Sequence, residues 1–208
     1  MLRQSAAGSA QHRGSIMAKF FGNLNAVLVV GFAAMIGLLL WSNGAGNTIA
    51  WLTFLHVIAG VLWIGLLYYF NFVQIPTMPS VPAELKPGVS KYIAPKALFF
   101  FRWAALATVL FGIGVATLPE KGGELMNGLT FQQGYRVIGI GMWLGLIMAA
   151  NVWFIIWPNQ KKALGIVEAD ADTKAKAATT AMMASRTNML LSIPMLYCMV
   201  SHGLGGAV

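Results

Sequence analysis

Residues 51–72 read WLTFLHVIAGVLWIGLLYYFNF: twenty-two residues, no formal charge, one histidine, His56. A hydrocarbon core of about 30 Å takes roughly 20 consecutive apolar residues in a helix. The stretch has the length of a membrane crossing, and its polar exception is an imidazole. Apolar runs of similar length lie at 24–41, 97–118 and 135–157, with a fifth at 187–207; the run around His56 spans 49–72. Five such runs in 208 residues leave too little polar sequence to coat a soluble globule. Hydrophobic residues make up 58% of the chain and charged residues 10%, against about 45–50% and about 25% in soluble domains. The expected fold is an all-α integral membrane protein, a bundle of about five transmembrane helices.

The charges lie between the runs. Arg3, Arg13 and Lys19 precede the first; Lys86, Lys91 and Lys96 follow the second; Lys161, Lys162, Lys174, Lys176 and Arg186 follow the fourth. The segment 42–48 carries no Lys or Arg, and 119–134 only Lys121. Rich and poor segments alternate, so the N-terminus is expected in the cytoplasm and the C-terminus in the periplasm. The expected location is the bacterial inner membrane, multi-pass, with residues 1–20 a cytoplasmic arm and 21–208 a single transmembrane domain. Met17 offers an alternative start, which would make 1–15 an extension. The net charge of +8 thus serves orientation. Nucleic-acid binding is not expected, because no basic-aromatic stretch of useful length exists.

Two connecting segments have a local reading. Pro76, Pro79, Pro82 and Pro87 predict a stiff, irregular loop. Residues 165–186 are rich in Ala and Lys and predict a helix at the interface, with Asp170 and Asp172 in its first turn. Cys198, the one cysteine, reads as a small buried apolar residue.

Three histidines occur. His12 belongs to the basic arm. His56 and His202 fall inside runs, where ionisable groups are costly and point to function. His56 lies seven residues into its run, about 10 Å along the axis, and His202 five residues from the end of its own, about 7–8 Å. The two imidazoles therefore sit at similar depth near the outer face. Such a pair on facing helices can ligate haem iron from both sides, giving a bis-histidine haem b. Gly60 and Trp63 share a helix face with His56, and Gly60 would leave room for a flat ring. Gly203, Gly205 and Gly206 do the same after His202, and Pro194 predicts a kink between. Arg136 at the outer mouth of the fourth run is suited to a propionate carboxylate. Each feature also has a structural reading: a histidine bridges helices by a hydrogen bond, glycines such as those of GMWLG (141–145) serve packing, and Arg136 anchors at headgroups. A second polar set, Asn71, Gln74, Arg102 and Asn151, lies in the inner half. It reads as snorkelling with amide partners, or as a cytoplasmic-side ligand or proton site.

LHVIAGVLWIGLLYYFNFVQ, PKALFFFRWAA, NVWFIIWPNQKK and SRTNMLLSIPML followed by SH resemble, in order and spacing, the membrane-embedded N-terminal domain of the bacterial membrane-bound urate oxidase (urate hydroxylase) family. The resemblance covers most of 55–202. It implies redox chemistry at the membrane, with electrons leaving to the respiratory chain. Family members carry a C-terminal c-type cytochrome; this sequence has no CxxCH and is expected to be a short form relying on a separate cytochrome. The leading expectation is a haem b electron-transfer protein, with membrane lipids and a periplasmic c-type cytochrome or a larger respiratory or membrane complex as partners, and copies of itself as a further one. The alternatives are a non-catalytic accessory subunit, a chlorophyll-type pigment protein, and a urate-oxidising component.

Overall fold

A computed structural model of the protein describes residues 17–42 and 46–203. The described residues are all helix and connection, without strands. The helices are α1 (Leu24–Trp41), α2 (Thr48–Ser80), α3 (Lys86–Ala116), α4 (Glu124–Leu129), α5 (Arg136–Ala163) and α6 (Ala171–Gly203). Four of them, α1, α2, α3 and α5, are long and apolar enough to cross a membrane. The fold class read from composition is thus present at this level. The fifth run coincides with the C-terminal half of α6, where Asn188, Ser192, Ser201 and His202 dilute the apolar character.

The chain forms two compact units, Met1–Ala50 and Trp51–Val208. In the first, α1 is capped by Asn23, whose Oδ1 accepts the Ala26 N–H at 3.2 Å. None of the residues of α1 is buried. In the second unit the core is built by Trp63 and Leu67 of α2, Phe101 and Ala105 of α3, Met148 and Val152 of α5, and Ala181 of α6. The closest pairing is α5 with α6. A Cβ on Gly141 would stand 2.9 Å from Cys198 Cβ, so the backbones approach through a glycine, as apolar helices do where small residues allow it. Gly145, at the other end of GMWLG, faces open space. Cys198 is buried, as its setting suggested.

The proline-rich segment is helical on both sides of a short turn at 81–85 that holds Pro82, not an irregular loop throughout. α2 continues through Pro76 and Pro79 to Ser80, and α3 begins at Lys86. The reason recurs three times. A proline inside an α-helix has no N–H to donate, and its ring collides with the carbonyl four residues back. Here each such proline follows a widened π-helical turn: Tyr69–Gln74 before Pro76, Val89–Ile93 before Pro95, Val152–Ile156 before Pro158. The residue just before each proline donates five residues back, Ile75 to Phe70, Ala94 to Val89, Trp157 to Val152. The extra residue accommodates the ring, and the helix restarts with proline in its first turn, where no donor is needed. At Pro194 the helix simply continues.

The interfacial segment is likewise not a separate helix. Residues 171–186 and the described part of the fifth run, to Gly203, are one helix of 33 residues; Ala and Lys favour helix and no breaker lies at 186–187. Asp170 caps it: Oδ1 accepts the Thr173 N–H at 2.8 Å and Oδ2 the Thr173 hydroxyl at 2.7 Å. The backbone bond first, and the hydroxyl second, hold the Asp170 carboxyl below the usual aspartate range. A depressed folded-state value means that the cap is complete above the unfolded value of about 3.9 and is lost as pH falls through the folded one. Amide-exchange protection at 173, corrected for intrinsic rates, should hold from pH 7 to about 5 and fall only below about 4. Asp170→Ala should lack it throughout, and equal protection in that variant would remove the cap from the account.

Candidate functional site

His56 stands two turns into α2, and its ring lies against α3. Nδ1 is 2.8 Å from the carbonyl oxygen of Thr108. A carbonyl only accepts, so Nδ1 carries the proton and the neutral ring keeps its free lone pair on Nε2. The notch that admits the ring is Gly112: a Cβ there would meet His56 Cε1 at 2.9 Å and Nδ1 at 3.0 Å. Thr108 turns its own hydroxyl back to the Ala104 carbonyl at 2.7 Å. One turn on, a Cβ at Gly60 would touch Thr108 Cγ2 at 3.7 Å, so this glycine faces α3 at van der Waals range. Trp63 is closed off in the core.

His202 lies at the same end of the unit, in the last turn of α6. Its Nε2 is 3.5 Å from Glu124 Oε2, and Lys121 Nζ approaches the same oxygen at 3.3 Å. Glu124 is only 7% exposed, held by α4, which docks on α5 through two glycines. A Cβ on Gly139 would overlap the Gly128 carbonyl oxygen. The Trp143 indole also donates to the Leu129 carbonyl at 3.1 Å. Arg136 opens α5 at this end and is exposed. The two histidines make different contacts, His56 with α3 and His202 with α4. His12, Gly205 and Gly206 lie outside the described residues.

A second set of polar groups crosses the unit nearer its Lys-rich end. Asn151 of α5 donates from Nδ2 to Asn188 Oδ1 at 2.7 Å and to the Ala184 carbonyl at 2.9 Å; Asn188 Nδ2 returns to the Met148 carbonyl at 3.0 Å. Asn71 of α2 donates to Ser185 Oγ at 3.0 Å. The Tyr68 hydroxyl is 3.3 Å from Ser192 Oγ. Arg102 of α3 stacks on Trp157, 3.8 Å from guanidinium carbon to ring centre, with Trp153 at 5.3 Å. Several buried atoms here have no hydrogen-bond partner: Asn71 Oδ1, Gln74 Oε1, Asn151 Oδ1, Trp153 Nε1, and Nε and Nη1 of Arg102. Buried polar atoms normally find partners, so such a concentration calls for an explanation. The π-turns of α2 and α5 lie in this layer, and π-turns inside α-helices recur at functional sites.

Asn71, Gln74, Arg102 and Asn151 are legible in sequence as polar residues within apolar runs. The α6 residues of this layer, Ser185, Asn188 and Ser192, are not, because the stretch in which they occur is rich in polar residues. The signal is spacing: with Ala177, Ala181 and Ala184 they form one small-residue face of α6, all buried. Glu124 and Gly112 carry no local signature, since each acts on a residue distant in sequence.

No curated protein and no solved structure matches the chain. The model of the family described as urate oxidase N-terminal matches residues 126–206. The matched segment runs from within α4 through nearly all of α6 and holds Gly139, Asn151, Asn188 and His202; His56, Gly60, Trp63 and Arg102 precede it. Residues 126–206 are thus similar to the urate oxidase N-terminal family.

Proposed function

We propose that the chain is a multi-pass protein of the bacterial inner membrane that holds one haem b between His56 and His202 and exchanges electrons with a periplasmic c-type cytochrome. One observation supports this most. Each imidazole is tied through one nitrogen to an acceptor, His56 Nδ1 to the Thr108 carbonyl and His202 Nε2 toward the Glu124 carboxylate. In the neutral rings the remaining nitrogens, Nε2 of His56 and Nδ1 of His202, carry the lone pairs. Metal-bound histidines use this arrangement, because the second partner fixes tautomer and orientation. His56 and His202 would hold the haem, which would supply a one-electron couple and, with both imidazoles bound, would serve electron transfer and not oxygen binding. Arg136, exposed at the same end, would take a propionate.

The topology that goes with this reading has five crossings, the fifth in the C-terminal half of α6, with the N-terminus cytoplasmic. At 33 residues α6 extends about 50 Å, enough to cross a core of about 30 Å and continue beyond it.

The purified, dithionite-reduced protein should show a b-type spectrum with about one iron per chain. His56→Ala and His202→Ala should each lose it. Gly112→Ala, whose methyl presses on the His56 ring, should keep haem but shift its midpoint potential. Retention of the full spectrum in both histidine variants would remove the assigned ligands. The family match supports a second reading, a urate-oxidising membrane component that relies on a separate cytochrome. Urate-dependent reduction of added cytochrome c by membranes would favour it. An iron-free chain that co-purifies with a large assembly would instead mark an accessory subunit.

A further inference from the structure

We propose that Arg102 and the groove beside it bind one anionic phospholipid, with the phosphodiester on the guanidinium and an acyl chain between α3 and α5. The proposal rests on α3 and α5 crossing a membrane and is independent of haem.

The first observation is an unpaired cation. Arg102 Nε and Nη1 are closed off by protein and have no hydrogen-bond partner. The chain has six acidic residues, Glu84, Glu120, Glu124, Glu168, Asp170 and Asp172, and none lies within α2, α3 or α5. The neutralising anion therefore comes from outside this part of the protein. Adjacent guanidinium N–H groups form a fork that matches an anion with two oxygens. The two non-bridging oxygens of a phosphodiester fit; a neutral carbonyl offers one.

The second observation is the space for a tail. An apolar groove of about 350 Å³ is lined by Leu106, Val109, Leu146, Ala149, Ala150 and Trp153. Small-molecule sites run from roughly 300 to 1,000 Å³. Leu106 is one helical turn from Arg102, and Trp153 belongs to both features: its ring is 5.3 Å from the guanidinium carbon and it walls the groove. Its Nε1–H has no partner within the protein.

The third observation is charge complementarity. Lys86, Lys91, Lys96, Lys161 and Lys162 cluster at this end of α3 and α5. Lys161 Nζ lies 5.7 Å from the Trp157 ring centre, the ring on which Arg102 stacks. Basic pockets between helices on the cytoplasmic side select anionic head groups.

The test uses the full chain in mild detergent, stripped of native lipid. Native mass spectrometry and tryptophan fluorescence follow added dioctanoyl phosphatidylglycerol, dioctanoyl phosphatidylcholine, glycerol 3-phosphate and decylubiquinone. The wild type should bind phosphatidylglycerol at least tenfold more tightly than phosphatidylcholine, and glycerol 3-phosphate not measurably. Arg102→Gln should weaken phosphatidylglycerol at least tenfold, and Arg102→Lys by less. Ala150→Phe fills the groove from an exposed position and should weaken it at least tenfold with the fold intact. Arg186→Gln, which removes an exposed charge from α6, should change nothing. Equal binding by Arg102→Gln or Ala150→Phe and wild type overturns the proposal. So does glycerol 3-phosphate binding as tightly as lipid, which means a free-anion site, or displacement by decylubiquinone, which means a quinone site. Release of the wild type from membranes by alkaline carbonate would instead defeat the membrane reading beneath it.

Discussion

Gly139→Ala should destabilise the protein by about 3 kcal/mol, at the upper end of overpacking costs. A methyl there would overlap the Gly128 carbonyl oxygen, with the Gly128 carbonyl carbon at 3.0 Å and Phe131 Cδ1 at 3.2 Å. Two of those three atoms are backbone, so relief requires α4 to move off α5. The reverse substitution is milder. A methyl on Gly128 meets Met142 Sδ at 2.8 Å, the end of a flexible side chain that can turn away. Gly145→Ala is the control: its Cβ meets nothing within 4 Å, and alanine gains up to about 1 kcal/mol over glycine inside a helix. Denaturant unfolding in micelles should rank the three as Gly139→Ala far below wild type, Gly128→Ala modestly below, and Gly145→Ala at or above it. Equal midpoints for the first and last would show that α4 is not wedged where described. The consequence reaches the histidine end, because α4 carries Glu124. If the fold survives, displacement of α4 should cost His202 its carboxylate partner, and the haem signal proposed above should weaken in parallel.

What could be read from sequence divides by range. The long apolar helices follow from runs of apolar residues, and the Lys-rich ends from simple counting, because both are local sums. The buried state of Cys198 and the acidic start of α6 follow from immediate neighbours, although Asp170 caps the helix from outside where the sequence placed it in the first turn. The three proline-linked π-turns were hidden because proline signals a break, whereas a widened turn lets the helix accommodate it. The continuity of α6 was hidden because hydropathy changes sharply near 187 while helix propensity does not. The site residues divide the same way. His56 stands out as an imidazole in an apolar run, but its fixed tautomer depends on Thr108, 52 positions away. His202 is likewise visible, yet its carboxylate partner lies in a segment that reads only as a short loop poor in Lys and Arg.

The polar layer gives the other large expected effect. Asn188 is fully buried and works through both ends of its amide, Oδ1 toward Asn151 and Nδ2 toward the Met148 carbonyl. Asn188→Leu removes both and places a larger apolar group at the tightest helix pairing in the unit, so a loss of about 1–3 kcal/mol is expected. Asn188→Asp should be worse. It keeps the acceptor for Asn151 but loses the donor to Met148, and the new oxygen faces that carbonyl or carries buried charge. Solvophobic packing alone would rank these variants by volume and apolarity, placing Asn188→Leu nearer to wild type than Asn188→Ala. Hydrogen-bonded register ranks both well below it. A double-mutant cycle with Asn151→Ala and Asn188→Ala, measured by unfolding in micelles, separates the two. Bonds of this type between membrane helices couple by about 0.6 kcal/mol on average and up to about 1.7, and a pair buried on both sides belongs near the top. Strict additivity would mean that the amides are passengers in a packed interface. Coupling would mean that they set how α5 and α6 align along their length, and that alignment fixes where His202 emerges beside Glu124. The layer near the Lys-rich end then determines geometry at the histidine end, because a rigid helix transmits a register shift over its whole length.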